Sequence, residues 1–334
     1  MSQRSCELCI LGAGSYGTAL AVAVASKGTA VMLWDHNPQK VAAMQHERVN
    51  ARYLPQIPFP STLQLCSDLG EALSSARDLL VVVPSHTFKE LLTAIVPLLS
   101  KEHRLAWATK GLDPHSGAVL SELTRELVGP EIPLAAISGP TFALELARGM
   151  PTAISVAGTD PLFSSALCNL MHTPTFRIYE SSDLLGLQLG GALKNVIAIA
   201  AGLSDGMGFG ANARTALITR GLAEMVRYGQ ALGATERSFQ GLSGLGDLIL
   251  TCTDDQSRNR RFGYLLGRGA AVQEALSRIG QVVEGYTMTY VMHEHGIRRG
   301  VNMPICQEVY EILYEGKDGR AAAASLLGRS QKSE

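Results

Sequence analysis

Short, unbroken apolar runs alternate with segments whose apolar residues recur every three or four positions along the first half of the chain. Runs of the first kind read as strands buried on both faces, and segments of the second kind as amphipathic helices. Strands are predicted at 6–11, 30–34, 63–66, 79–83, 105–109, 134–137, 153–156 and, last, 175–179. Helices are predicted at 18–26, after an Asp68 cap, at 88–99 and at 117–127. Strands separated by helices imply a mostly parallel, doubly wound sheet. The pattern changes near Asp183, after which helical periodicity takes over and strand signals nearly vanish. Helices are expected at 184–201, 215–232, 259–266, 272–277, 285–295 and 305–314, and 329–334 reads as a frayed tail. The expectation is an α/β domain over 1–182 followed by an all-α domain over 183–334. A length of 334 residues agrees with two domains at ~150 residues each.

Composition narrows the class. With 46% apolar and 18% charged residues, the chain can fill a core, which excludes intrinsic disorder. Lys+Arg 29 against Asp+Glu 30 leaves no general basic excess, so nucleic acid is not an expected partner. Six cysteines are sparse for a disulfide scaffold of this length. Cys6 and Cys9 form a C-x-x-C, but no second pair or nearby His completes a metal site, and no metal is expected. On a strand, residues three apart point to opposite faces, so these two read as ordinary strand cysteines. The uncharged run 8–26 mimics a signal peptide or membrane span, but Glu7 and three glycines argue against that reading. No other segment reads as long and apolar enough to span a bilayer. A soluble, cytoplasmic protein without membrane insertion is expected.

Gly12-Ala13-Gly14-Ser15-Tyr16-Gly17 fits G-x-G-x-x-G between a predicted strand and a predicted helix, the context in which this pattern binds dinucleotides. Gly12 permits the tight turn, Gly14 lets backbone approach a pyrophosphate, and Gly17 allows close helix–strand packing. The helix amino end offers N–H groups and a positive dipole to phosphate. The first domain is therefore expected to be Rossmann-like. Asp35 lies 18 residues after Gly17, where a ribose-binding acid is expected, and such an acid favours NAD. His36 beside it is open to three readings: a ribose contact, a protonated partner for a 2′-phosphate, or a solvated loop residue. NAD and NADP both remain candidates.

Lys194 is the odd residue in the apolar segment 184–201. A buried lysine must pair, reach a cavity or lose its proton, and at a helix edge it would merely snorkel. A lysine so placed can serve as a general acid or base. Gly190 and Gly191 leave room beside it, and Asn195 is a second polar group in the same setting. A glycine-rich turn, 241–246, leads into a short helix where Asp247 and Thr251 share a face, although Asp247 alone would also suit a helix cap. In Ser257-Arg258-Asn259-Arg260-Arg261, Arg258 can grip phosphate with Ser257 and Asn259 beside it, or the run is a solvated helix start. Lys110 follows a strand at the edge where open α/β sheets bind ligands. Ser138-Gly139-Pro140-Thr141-Phe142-Ala143 also follows a strand and opens a helix.

Together these segments resemble the NAD(P)-dependent glycerol-3-phosphate dehydrogenase family, in its bacterial soluble form. The resemblance rests on GAGSYGTALA at 12–21, VVVPSH at 81–86, ATKGL at 108–112, SGPTFALE at 138–145, GGALKNVIAIAAG at 190–202, GLSGLGDLILTC at 241–252, SRNRRFG at 257–263 and VVEGYTM at 282–288. It implies reversible reduction of dihydroxyacetone phosphate to sn-glycerol 3-phosphate for phospholipid synthesis, with NAD or NADP as cofactor. It further implies Lys194 as the proton-transferring residue, oriented by Asp247 and Thr251. Lys110, Gly139, Thr141, Ser257, Arg258 and Asn259 would hold the triose phosphate, together with Lys194 and Asp247. Ser15, Tyr16, His36, Lys110, Ala143, Arg258, Val282 and Glu284 would line the cofactor beside Gly12, Gly14 and Gly17. A homodimer is implied as well. Asp35 departs from what NADP-using relatives favour. A related hydroxy-acid dehydrogenase and a non-catalytic nucleotide sensor are the rival expectations.

Overall fold

The computed structural model describes residues 4–329. One compact unit contains the chain up to Asp113 together with Ala118–Gln188, and the other contains Pro114–Gly117 and the chain from Leu189.

In the first unit, β1 (Leu8–Leu11), α1 (Ser15–Ala25), β2 (Val31–Trp34) and α2 (Pro38–Glu47) precede a small hairpin, β3 (Val49–Asn50) and β4 (Leu54–Pro58). Then come β5 (Leu63–Cys66), α3 (Leu69–Ser75), β6 (Asp78–Val81), α4 (Ser85–Ile95), β7 (Arg104–Trp107) and α5 (Leu120–Val128). β8 (Leu134–Ser138), α6 (Ala143–Ala147), β9 (Thr152–Gly158), α7 (Pro161–Met171) and β10 (Phe176–Glu180) complete it. Eight strands form one sheet in the order β10-β9-β8-β7-β6-β1-β2-β5. Every pairing in it is parallel except β8 with β9. The apolar runs are buried on both faces for a simple reason. Leu8 and Ile10 of β1 enter one core with Leu33, Leu80 and Phe163, while Cys9 and Leu11 enter the opposite core with Leu79, Phe88 and Trp107. β1 lies between β2 and β6, where the strand order reverses, and a ligand crevice opens at the carboxyl end of such a strand.

The second unit takes in most of α8 (Leu184–Gly206), followed by α9 (Gly210–Ala231) and the short α10 (Glu236–Phe239). A single π-helical turn, Leu242–Gly246, leads into α11 (Asp247–Thr253). α12 (Arg258–Gly267), α13 (Val272–Ile279), α14 (Glu284–Arg298), α15 (Pro304–Tyr314) and α16 (Gly319–Leu327) follow. α8 and α12 touch backbone to backbone. A Cβ on Gly202 would lie 1.9 Å from the Arg260 carbonyl oxygen, and one on Gly263 would lie 2.0 Å from that of Ile199. Glycine at both positions is what permits the approach, and it brings the amino end of α12 close to the middle of α8.

The mostly parallel sheet and the helical second half match the predicted fold class. Several details differ. The sequence pattern passes over α2, the β3–β4 hairpin, α7, α10 and α16, whose apolar residues are too few or too evenly spread to show a period. The helix predicted from 117 starts at Leu120, because Gly117 takes a φ of +66° that a helix does not accommodate. Cys6 precedes β1, so strand alternation does not reach it, and Cys6 and Cys9 share one core rather than opposite faces. Burial raises both thiols above their ordinary range, and both are free. A second segment is in fact long and apolar enough to cross a membrane, namely α8, but 89% of its most apolar stretch is packed inside the protein. Of the predicted tail at 329–334, Arg329 is described and residues 330–334 lie outside the described residues.

Candidate functional site

The glycine turn divides its labour. Gly12 has a φ of +121°, and a Cβ there would sit 2.4 Å from the Val82 carbonyl oxygen. A Cβ on Gly17 would sit 1.9 Å from the Gly12 carbonyl oxygen. Both glycines are therefore required by packing. Gly14 has nothing within 4 Å of its Cβ position, so its backbone faces open space. It also caps α1, whose first turn holds no acid and receives no side-chain cap. Backbone N–H groups and the helix dipole remain for a phosphate, and the turn fits a dinucleotide pyrophosphate.

The same unit brings Lys110, Tyr16 and Gly139 together. The Lys110 Nζ donates to the Gly139 carbonyl at 3.1 Å and sits 5.9 Å over the Tyr16 ring. A Cβ at Gly139 would lie 2.8 Å from the Ile154 Cα, so β9 backbone is packed directly against this loop. The Ser138 and Thr141 hydroxyls are buried without a hydrogen-bond partner in the protein. A buried hydroxyl left unpaired costs roughly 1–3 kcal/mol, so each of these suits a polar ligand. Ser138 was not singled out by sequence reasoning. Its signal is its place as the last residue of a buried strand beside Gly139. Ala143 starts the short α6, and His36 projects with 84% of its side chain exposed.

In the second unit, α8 carries Lys194 into an interior where it is 6% exposed. Its Nζ donates to Asp247 Oδ1 at 2.5 Å and to Thr251 Oγ1 at 2.7 Å. Of the three options open to a buried lysine, the fold has chosen pairing. Asp247 begins α11 and is 1% exposed, so the two charges compensate each other away from water. The Thr251 hydroxyl donates to the Asp247 carbonyl one turn back at 2.6 Å, which leaves its lone pair to receive the lysine. The π-helical turn before Asp247 sets where α11 begins, and such turns recur at functional sites. Cys252 lies next to Thr251, and burial pushes its thiol up to about 12, so it stays neutral beside the ion pair.

Ser257 caps α12, its hydroxyl accepting from the Arg260 N–H at 3.2 Å. Arg258 is the first residue of that helix and is exposed, so its guanidinium and the helix dipole present positive charge at the same end. Asn259 is largely occupied in holding helices together. Its Oδ1 accepts from the Gly285 N–H and its Nδ2 donates to Asn195 Oδ1, both at 2.9 Å. Because a backbone N–H can only donate, the orientation of this amide is fixed, and one N–H is left over. Val282 and Glu284 stand at the start of α14, next to Gly285.

Two further groups support this end of α12. Asp205 on α8 accepts from Arg260 at 2.7 Å and from Arg214 of α9 at 2.8 Å, and Asp255 also pairs with Arg260. Asp205 lies eleven residues after Lys194, three turns along the same face, a spacing that could have marked it in the sequence. No cluster of His, Cys, Asp and Glu suited to a metal ion occurs among the described residues.

Residues 7–163 match the family model described as NAD-dependent glycerol-3-phosphate dehydrogenase N-terminus, and residues 183–324 match the corresponding C-terminus. Glycerol-3-phosphate dehydrogenase (NAD(P)+) of Tolumonas auensis is 58% identical over 328 residues, 98% of each chain. The enzyme of that name from Escherichia coli is 58% identical over 335 aligned positions, 100% of this chain and 99% of the relative. Among solved structures, glycerol-3-phosphate dehydrogenase from Coxiella burnetii superposes with a TM-score of 0.94 at 46% identity, over 97% of this chain and 99% of that one. D-mandelate dehydrogenase superposes with a TM-score of 0.63 at 12% identity, over 95% and 99%, a likeness of fold alone. The chain belongs to the NAD-dependent glycerol-3-phosphate dehydrogenase family.

Proposed function

We propose that the chain reduces dihydroxyacetone phosphate to sn-glycerol 3-phosphate, reversibly, with NADH or NADPH, and so supplies phospholipid synthesis. The observation that carries this reading is the buried Lys194–Asp247–Thr251 cluster, an ammonium held in place by an acid and a hydroxyl. When bound, the reduced nicotinamide supplies the hydrogen and electron pair that the carbonyl carbon gains. As that carbon is reduced, negative charge grows on its oxygen. Lys194 stabilises this charge and gives up the proton that completes the alcohol. In the reverse direction the neutral amine takes that proton back. Asp247 and Thr251 hold the amine in one position, so little reorganisation is needed at the moment of reaction.

The proposed phosphate clamp is Arg258 with Ser257, and the spare Asn259 N–H joins it. Lys110, Gly139 and Thr141 hold the remainder of the triose. The Thr141 hydroxyl, unpaired in the protein, supports its place in this set. Gly12, Gly14, Ser15, Tyr16, Gly17, His36 and Ala143 of the domain at 1–182 receive the dinucleotide. Lys110, Arg258, Val282 and Glu284 are the further residues proposed for the cofactor. The reading extends to a homodimer in the cytoplasm. The family resemblance supports the dimer, and six free cysteines suit a reducing compartment. The test is to follow loss of reduced-nicotinamide absorbance with dihydroxyacetone phosphate, in parallel with small keto acids. Turnover of the phosphorylated ketone alone supports the proposal, whereas preference for a keto acid would move the chain to the hydroxy-acid class.

A further inference from the structure

The corner after β2 carries two opposed signals. Asp35, at the position from which an acid meets the adenosine ribose, should repel a 2′-phosphate. Yet Asp35 is not an open carboxylate: its side chain is 7% exposed and both oxygens are engaged. Oδ1 accepts from the Asn37 N–H at 3.1 Å, and Oδ2 accepts from the Lys40 Nζ at 2.5 Å. The same Lys40 ammonium donates to the Ala13 carbonyl of the glycine turn at 2.7 Å and lies 5.2 Å from the Tyr53 ring centroid. Lys40 is thus anchored on three sides and sits directly on the acid.

Its position in α2 is unusual. Lys40 falls in the first turn, where a helix dipole disfavours a cation, and that turn contains no acid of its own. Asn37 caps the helix by accepting from the Lys40 N–H at 3.0 Å, with Pro38 next in line, so this turn is firmly built. A cation held where the helix alone would not favour it needs a compensating anion, and Asp35 provides one. The ion pair leaves the corner close to neutral. The amino end of α2 then contributes positive potential, and the exposed His36 imidazole stands next to it.

We infer that Lys40 determines cofactor specificity in this site: by covering the Asp35 carboxylate, it allows the adenosine corner to accept a 2′-phosphate as well as a 2′-hydroxyl. The inference rests on the dehydrogenase reading above. It explains how an acid typical of NAD sites can stand in a chain whose relatives are named for both cofactors.

The test is direct binding of NADH and NADPH, read as Kd from the fluorescence of the reduced nicotinamide, with no substrate present. The variants are Lys40→Met, which keeps an unbranched stem but removes the charge, Asp35→Asn, and the double variant. In Lys40→Met the uncovered carboxylate should weaken NADPH roughly tenfold or more while NADH changes by less than about threefold. Asp35→Asn should leave NADPH as tight or tighter. The double variant has lost the same Ala13 contact but carries no exposed acid, so it should return the ratio of the two constants to the wild-type value. Equal weakening of both cofactors in Lys40→Met, or a ratio left unrestored in the double variant, would overturn the inference. Wild-type protein that binds neither cofactor would instead overturn the dehydrogenase reading itself.

Discussion

At the scale of single residues, burial decides what each ionisable group can do. Lys194 and Asp247 are buried together, and each is the reason the other can be charged there. Lys194→Ala is expected to lower turnover by roughly 10²-fold or more while Kd for the reduced nicotinamide stays near the wild-type value. Single-turnover kinetics and fluorescence titration measure the two quantities, and near-normal turnover would remove Lys194 from its assigned role. Glu224 of α9 is a second buried acid, with a structural task. It accepts from the Ile305 and Cys306 N–H groups at 2.6 and 3.1 Å, closing the open amino end of α15 from a neighbouring helix. Burial pushes its carboxyl from 4.5 up to about 7, so the native state holds this proton more tightly than the unfolded chain does. The stability it contributes is full below about 4.5 and is lost as pH rises through about 7. Urea unfolding at pH 5 and pH 8 should show this fall in the wild type and its absence in Glu224→Gln. Equal pH dependence in the two proteins would mean the carboxyl titrates normally.

At the scale of elements, the glycines between α8 and α12 fix where the proposed phosphate clamp stands. A Cβ at Gly263 has no room beside the Ile199 carbonyl, so Gly263→Ala must push the two helices apart. The expected cost is about 1–3 kcal/mol in urea unfolding, accompanied by a raised KM for the triose phosphate. Unchanged stability would show that the interface yields at no cost. Asp205 acts on the same helix end through Arg260. Asp205→Asn is expected to raise the KM for the triose phosphate roughly three- to tenfold with less effect on kcat, because a weakened pair loosens Arg258 and Ser257 without touching Lys194. Loss confined to kcat would contradict this positioning role. These contacts were only partly legible in the sequence. The odd lysine at 194, the shared face of Asp247 and Thr251, and the glycine turn all announce themselves by local spacing. Lys40 and the paired role of Asn259 depend on which elements become neighbours, and local spacing carries little of that.

At the scale of the whole molecule, the succession of buried runs was enough to indicate a mostly parallel sheet followed by helices. The antiparallel pairing of β9 with β8 was not legible, because β9 shows the same apolar character whichever way it runs. The helices that were passed over are mostly short or weakly periodic. The shared architecture with a D-mandelate enzyme at 12% identity marks the limit of arguing from fold. Substrate class has to be argued from the proposed clamp and proton donor, and a comparison of phosphorylated ketone with keto acids tests it at that level.

One continuous rod, α8, bears Lys194, Asn195 and Asp205, and with them the proposed proton donor, the bridge to α12 and the anchor of its arginine. Each inserted residue would swing everything beyond it by about 100° around the axis. Between Asn195 and Asp205 this chain should therefore accept no insertion or deletion. Its spacing is a ruler, and a library of single-codon insertions across those ten steps would be expected to yield inactive clones throughout.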